Sequence, residues 1–241
     1  MSTRERLTAV MDELAAQASD ESGAGMARYG INVANAFGVS VYELRRMARV
    51  LGTDHELALA LWQTGNHEAR LLASMVDDPG FVTEAQMEAW AATFDSWDVC
   101  DQVTSNLFDK TPWAYAKVRE WSAAENEWVK RAAFATAAAL AVQDKVAADE
   151  RFLPILALVA REAGDGRNYV KKAVNWALRN IGKRNAALHA AALETAEAIL
   201  ASAEARAAAD RKDPAARCAR WVARDALREL RSEKTLRRLR R

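Results

Sequence analysis

Four segments of this 241-residue chain share one form. A polar residue able to cap a helix is followed within two residues by an aromatic or histidine, and then by a helical pattern with ionisable residues in its first turns. The segments are Asn66-His67-Glu-Ala-Arg70, Ser96-Trp97-Asp-Val-Cys-Asp101, Asn126-Glu-Trp128-Val-Lys-Arg131 and Asn168-Tyr169-Val-Lys-Lys172. Their anchors fall at positions 67, 97, 128 and 169, so the spacings are 30, 31 and 41. Another helical pattern precedes each one, at about 54–64, 84–94, 112–122 and 148–163. Two helices recurring at such a period mark a solenoid, because a single hairpin cannot bury its apolar face and a stack of hairpins can. The predicted architecture is an all-α superhelix of helical hairpins in which equivalent second helices share one concave face.

Local marks agree with helices throughout. Apolar residues recur at three and four, as in Val170, Val174, Ala177, Leu178 and Ile181, and no stretch alternates with period two. Ser40-Val-Tyr-Glu43 and Thr83-Glu-Ala-Gln86 have the spacing of capping boxes. Thr111-Pro112 and Asp213-Pro214 each set a cap before a proline at a first helical position, and Gly182 follows a helical run as a stop. About a dozen helices are expected, in a single HEAT-like repeat domain over residues 1–232 with a basic tail at 233–241.

Composition removes several classes. Apolar residues make up 51% and charged ones 28%, with 10 Gly and 4 Pro, which argues against disorder and against a loop-rich β fold. No apolar run approaches the roughly 18 residues of a membrane span. The first 17 residues carry scattered charges and suit an amphipathic helix, not a signal peptide. Cys100 and Cys218 form neither a disulfide framework nor a CxxC, which assigns the chain to a reducing cytoplasm. His55, His67 and His189 are scattered and no HxxxH or CxxC spacing occurs, so no metal is expected. The formal charge of +1 hides a polarised chain, at −10 over residues 51–150 and +11 over 151–241. Such a chain can face a polyanion with one end. The run Lys234-Thr-Leu-Arg-Arg-Leu-Arg-Arg241 is either a nucleic-acid anchor or a solvated helix end.

Spacing also groups candidate site residues. Trp97 and Asp101 stand at i and i+4, and Trp176 and Arg179 at i and i+3, so each pair shares a helix face. Indoles, a carboxylate and arginines on one surface suit DNA, where guanidinium forks take phosphate and indoles pack on sugar or base. The alternatives are structural. Tryptophans on repeats often fill the core, which is the assignment for Trp62, Trp90, Trp113, Trp121, Trp128 and Trp221. Asp101 and Arg131 suit an ion link, Cys100 a small buried hydrophobe, His67 a packed helix start, and Lys171, Lys172 and Arg179 a solvated basic face.

Several segments resemble the signature stretches of the DNA alkylation repair family, the AlkD-like glycosylases built of HEAT-like repeats. They are Phe94-Asp-Ser-Trp-Asp-Val-Cys-Asp101, Glu127-Trp-Val-Lys-Arg-Ala-Ala133 and Val170-Lys-Lys-Ala-Val-Asn-Trp-Ala-Leu-Arg179, with Met26-Ala-Arg-Tyr-Gly30 and Gly38-Val-Ser40 upstream. The likeness runs in order from about residue 24 to about 190. It implies that Trp97 and Trp176 are groove tryptophans, Asp101 the catalytic aspartate and Arg131 a phosphate-binding arginine. Tyr29 is implied as an N-terminal DNA-facing residue, and Ser40, Lys172 and Arg179 are added to it as candidate DNA-binding residues. The resemblance further implies a glycosylase that acts on double-stranded DNA carrying cationic N3- or N7-alkylated purines; the sequence itself gives no sign of an oligomer, so a monomer is expected. Such an enzyme needs no metal, cofactor, membrane or base pocket, and leaves an abasic site. The alternatives are a non-catalytic HEAT-repeat protein that binds damaged or branched DNA, and a protein scaffold.

Overall fold

The computed structural model describes residues 1–239, which hold fourteen α-helices and no strand. They divide into two compact units, the first Met1–Thr111 and the second beginning at Pro112. Arg240 and Arg241, the end of the predicted basic tail, lie outside the described residues.

The first unit contains α1 (Thr3–Ala16), α2 (Asp20–Arg28), α3 (Val41–Leu51), α4 (His55–Gln63), α5 (His67–Val76), α6 (Glu84–Ala91) and α7 (Trp97–Asn106). The second contains α8 (Ala114–Trp121), α9 (Glu127–Gln143), α10 (Leu153–Glu162), α11 (Asn168–Ile181), α12 (Ala186–Ala209), α13 (Pro214–Leu230) and α14 (Glu233–Leu239). The helices α5, α7, α9 and α11 start at 67, 97, 127 and 168, and α4, α6, α8 and α10 precede them. The recurrent segments thus open the second helix of each hairpin, as their period predicts.

How those helices start differs in detail. Asn66 and Asn126 are true caps, accepting the backbone N–H of Ala69 and those of Trp128 and Val129. Ser96 precedes α7 but makes no cap bond, because its hydroxyl donates to Asp98 at 2.7 Å. Asn168 is the first helical residue, and Arg167 takes the cap position without a side-chain bond. The two predicted capping boxes are half present. Ser40 accepts the Glu43 N–H and Thr83 the Gln86 N–H. The return arms go elsewhere, Glu43 to Arg46 and Gln86 to Asp77. A full box stands instead at Ser2 and Glu5. Asp213 caps α13 as expected, with Pro214 at its first turn. Thr111 does not cap α8; a 3₁₀ turn at Phe108–Lys110 takes its hydroxyl, which donates to the Phe108 carbonyl, and α8 starts later.

Gly182 does end α11, although its φ of −68° is open to any residue. A Cβ there would lie 2.7 Å from Leu230 Cδ2 and 2.8 Å from Ala192 Cβ, so close packing explains the glycine. Gly38 needs glycine on both counts, with φ at +78° and a Cβ position 2.2 Å from the Ser19 carbonyl oxygen.

In the first unit Leu57, Leu61, Leu72, Met87, Val103 and Phe108 are fully buried. Trp62 and Trp90 stack at 4.0 Å and 2° between α4 and α6, and the Arg70 guanidinium covers Trp62 at 4.5 Å. Each such aliphatic or aromatic side chain contributes about 1.5–3 kcal/mol on burial. In the second unit α9 is the central rod. Its alanines at 132, 133, 135, 137 and 138 have no exposed surface, which lets α8 and α11 pack closely on it. Small residues likewise join α12 and α13, through Ala192, Ala196 and Ala203 on one side and Ala216, Ala219, Ala223 and Ala226 on the other. Trp121 is buried and Trp128 half-buried, whereas Trp113 and Trp221 are exposed and so correct their assignment to the core.

Candidate nucleic-acid interface

In the first unit the site residues gather around the start of α7. Trp97 is its first residue, half-buried, and its indole Nε1–H donates to the Tyr29 carbonyl at 3.0 Å. That bond ties α7 to the end of α2, where Tyr29 occupies the C-cap and turns its ring to solvent, 77% exposed. Asp101 follows one turn after Trp97 and is half-buried. Its carbonyl accepts the hydroxyls of Thr104 and Ser105.

Between them, Asp98 holds the helix start in place. Its carboxylate accepts the Ser96 hydroxyl and lies 3.0 Å from His67 Nε2, although the approach is off that nitrogen's N–H axis. Burial alone would raise the Asp98 carboxyl; His67 and Ser96 outweigh it and hold the group below the usual carboxylate range. His67 is buried at its helix start and Cys100 is fully buried, as their residue types suggest.

Ser40 caps α3 and reaches solvent. A feature that sequence reading missed sets its position. Glu68 on α5 is fully buried, and its carboxylate accepts the backbone N–H groups of Phe37, Gly38 and Val39. The helical pattern places Glu68 beside His67, but only the folded loop reveals what the carboxylate holds.

In the second unit the residues gather where α9 meets α11. Arg131 is 5% exposed; its Nη1 donates to the Tyr169 carbonyl at 2.7 Å, and its guanidinium carbon lies 6.0 Å from the Tyr169 ring. That ring also packs on Trp128 at 4.8 Å. Tyr169, Lys172, Trp176 and Arg179 lie on one side of α11 by helical spacing. Lys172 is exposed and Trp176 half-buried. Arg179 is occupied by α13: it donates to Glu229, and its Nε lies 4.0 Å from Asp225. Lys183 also reaches Glu229, at 2.7 Å. Burial would raise the Glu229 carboxyl, and these two cations hold it below its ordinary range.

The structure therefore brings Tyr29, Trp97 and Asp101 together in one unit, and Arg131, Lys172, Trp176 and Arg179 in the other. Among the described residues no three His, Cys, Asp or Glu side chains form a group able to hold a metal. No described helix is long and apolar enough to cross a membrane.

The sequence model of the family described as DNA alkylation repair enzyme matches residues 10–230. One solved structure matches at a TM-score of 0.71 and 22% identity, covering 79% of this chain and 82% of its own. It represents a family related to the HEAT-like repeat DNA glycosylases, with affinity for branched DNA structures. At that identity the match carries the fold, which is that of the HEAT-like repeat proteins. No curated protein matches.

Proposed function

This chain belongs to the DNA alkylation repair enzyme family, and on that premise we propose that it is a monofunctional glycosylase for cationic N3- or N7-alkylated purines in duplex DNA. The observation that carries the reading is on α7: Trp97, its indole edge held by Tyr29, stands one turn before a half-buried carboxylate, Asp101.

The chemistry needs few groups. Alkylation at N3 or N7 makes the base cationic, so when the bond from the sugar C1′ breaks, the electron pair leaves with the base and neutralises it. No general acid is required. Positive charge grows on the deoxyribose, and a carboxylate about 4 Å away contributes roughly 4 kcal/mol at an effective dielectric near 20, before its desolvation is subtracted. Water then adds to C1′, oriented by Asp101, and its proton passes to solvent. Trp97 and Trp176 are assigned to sugar and backbone packing. Arg131, Arg179 and Lys172 are assigned to phosphates, and Tyr29 and Ser40 to the DNA surface at the N-terminal end. This scheme needs no extruded base and no base pocket. We assign the enzyme to the cytoplasm as a monomer.

Single-turnover release of 7-methylguanine from a methylated duplex tests the reading. The native protein should release it, and Asp101→Asn should slow release by about 10²–10³-fold with duplex binding kept. Equal release by both proteins would overturn the role of Asp101. The second reading, a non-catalytic binder, draws on the relative's affinity for branched DNA. It predicts no release by the native protein and tighter binding to a four-way junction than to a duplex.

A further inference from the structure

The exposed face of α13 is a run of arginines around one tryptophan. Arg217, Arg220, Arg224 and Arg228 recur at three and four residues, with Trp221 among them, so all five project from one arc of the helix. The opposite face, from Ala216 to Leu230, is the buried one. We propose that this stripe is a second binding surface for the phosphodiester backbone of DNA, outside the residues assigned above.

Three features separate it from an ordinary solvated helix face. First, its charges are of one sign. A surface helix gains from pairing acids with bases at four-residue spacing, whereas like charges at those spacings repel. Of the two acids of this helix, Glu229 turns away to other cations, while Asp225 borders the stripe and pairs with Arg228 at its far end. Asp225 and Glu229 meet Arg179 on α11, and Glu229 also meets Lys183, just beyond the end of that helix. Second, the arginines are little engaged. The side chains of Arg217 and Arg220 make no hydrogen bond or ion pair with any described residue. Arg224 meets Glu204 at 3.2 Å with both side chains more than half exposed, and Arg228 meets Asp225. Third, Trp221 is 41% exposed, with Lys171 over its ring at 5.3 Å, which adds another cation to the same surface. An open indole flanked by guanidinium groups matches the composition of nucleic-acid contact surfaces. From Arg217 to Arg228 the helix rises about 16 Å, enough to meet several phosphates of one strand at about 3.4 Å of duplex axis each.

The proposal rests on DNA being the partner, but not on the chemistry at Asp101. It is tested on the full chain with an undamaged duplex, by measuring Kd across a salt series for the native protein and for R217Q/R220Q/R224Q. These side chains are exposed or half-exposed and only Arg224 has a partner, so the variant should fold; its melting temperature and helicity check this. The expected result is a shallower slope of log Kd against log salt, by about two to three units, with affinity at low salt reduced by about 10-fold or more. Trp221→Ala should weaken binding without changing the slope. An unchanged slope and affinity in a folded triple variant overturns the proposal and leaves the stripe to an acidic protein partner. No duplex binding by the native protein overturns it too. Native release of 7-methylguanine with an unaffected triple variant would sink this inference alone. Duplex binding lost in the triple variant, with no native release, would sink the glycosylase reading alone.

Discussion

The indole Nε1–H of Trp97 donates to the Tyr29 carbonyl, joining two segments that are 68 residues apart in sequence. The donor on the indole edge is thereby used within the protein, and the ring plane is fixed by the fold before any ligand arrives. Preorganisation of this kind matters where a flat group must pack against a sugar at a set distance from a carboxylate.

Trp97→Phe keeps an aromatic ring and removes the tether. The Tyr29 carbonyl can be rehydrated at this accessible site, so the stability loss should be at the low end of a neutral hydrogen bond, about 0.5–1 kcal/mol by urea denaturation. On the glycosylase reading, release of 7-methylguanine should fall by more than that stability loss explains. Equal activity at equal folded fraction would mean that the tether is only structural.

Glu68→Gln should be far more costly. The carboxylate receives three backbone N–H groups, with Oε2 serving Phe37 and Oε1 serving both Gly38 and Val39. An amide offers one oxygen and one NH₂, so at least one buried N–H would face a donor. The expected loss is about 1–3 kcal/mol, read as a lower denaturation midpoint with an unchanged slope. A loss below about 0.5 kcal/mol would show that the 37–39 loop is held mainly by its own backbone.

The repeat was legible because hairpins stacked at a fixed period must repeat their anchors, and positions 67, 97, 128 and 169 do so. What stayed hidden was partner choice. Nothing local distinguishes a Glu43 that returns to its cap from one that turns to Arg46, or a tryptophan on a core face from Trp221 on an open one. Those outcomes depend on neighbours distant in sequence. Arg179 illustrates the same limit: its spacing from Trp176 places it on a shared face, while its carboxylate partners come from a helix some fifty residues later. The basic stripe of α13 was in the sequence as spacing, but its meaning depends on which face α12 and α11 cover.

Asp98 and Asp77 should respond oppositely to acid. The Asp98 carboxyl lies below the usual range, so the folded state holds its proton less tightly than the unfolded chain does. Its contribution is present above an ordinary Asp pKa of about 4 and is lost as pH falls below that. Burial pushes the Asp77 carboxyl above the usual range, against the opposing contacts of His55 and Gln86, each at 2.7 Å. There the folded state takes up the proton first, and stability from this group rises as pH falls through the raised value. Urea midpoints between about pH 3 and 6 should therefore fall less steeply toward acid in Asp98→Asn and more steeply in Asp77→Asn. Parallel profiles for the two variants would contradict both assignments.

Arg131 combines a structural role with an assigned one, and its variants should separate them. Its guanidinium reaches the Tyr169 carbonyl while almost fully buried, so it ties α9 to the start of α11. Arg131→Gln removes the charge and that reach, and should lower stability by about 1–3 kcal/mol. Arg131→Lys keeps the charge on a single ammonium that lacks the planar fork, and should lose a similar share of stability. The DNA reading adds a distinction that packing cannot supply. In duplex binding across a salt series, the lysine variant should keep the native slope, and the glutamine variant should flatten it by about one unit. If both keep the native slope, Arg131 is a tie between helices and makes no phosphate contact.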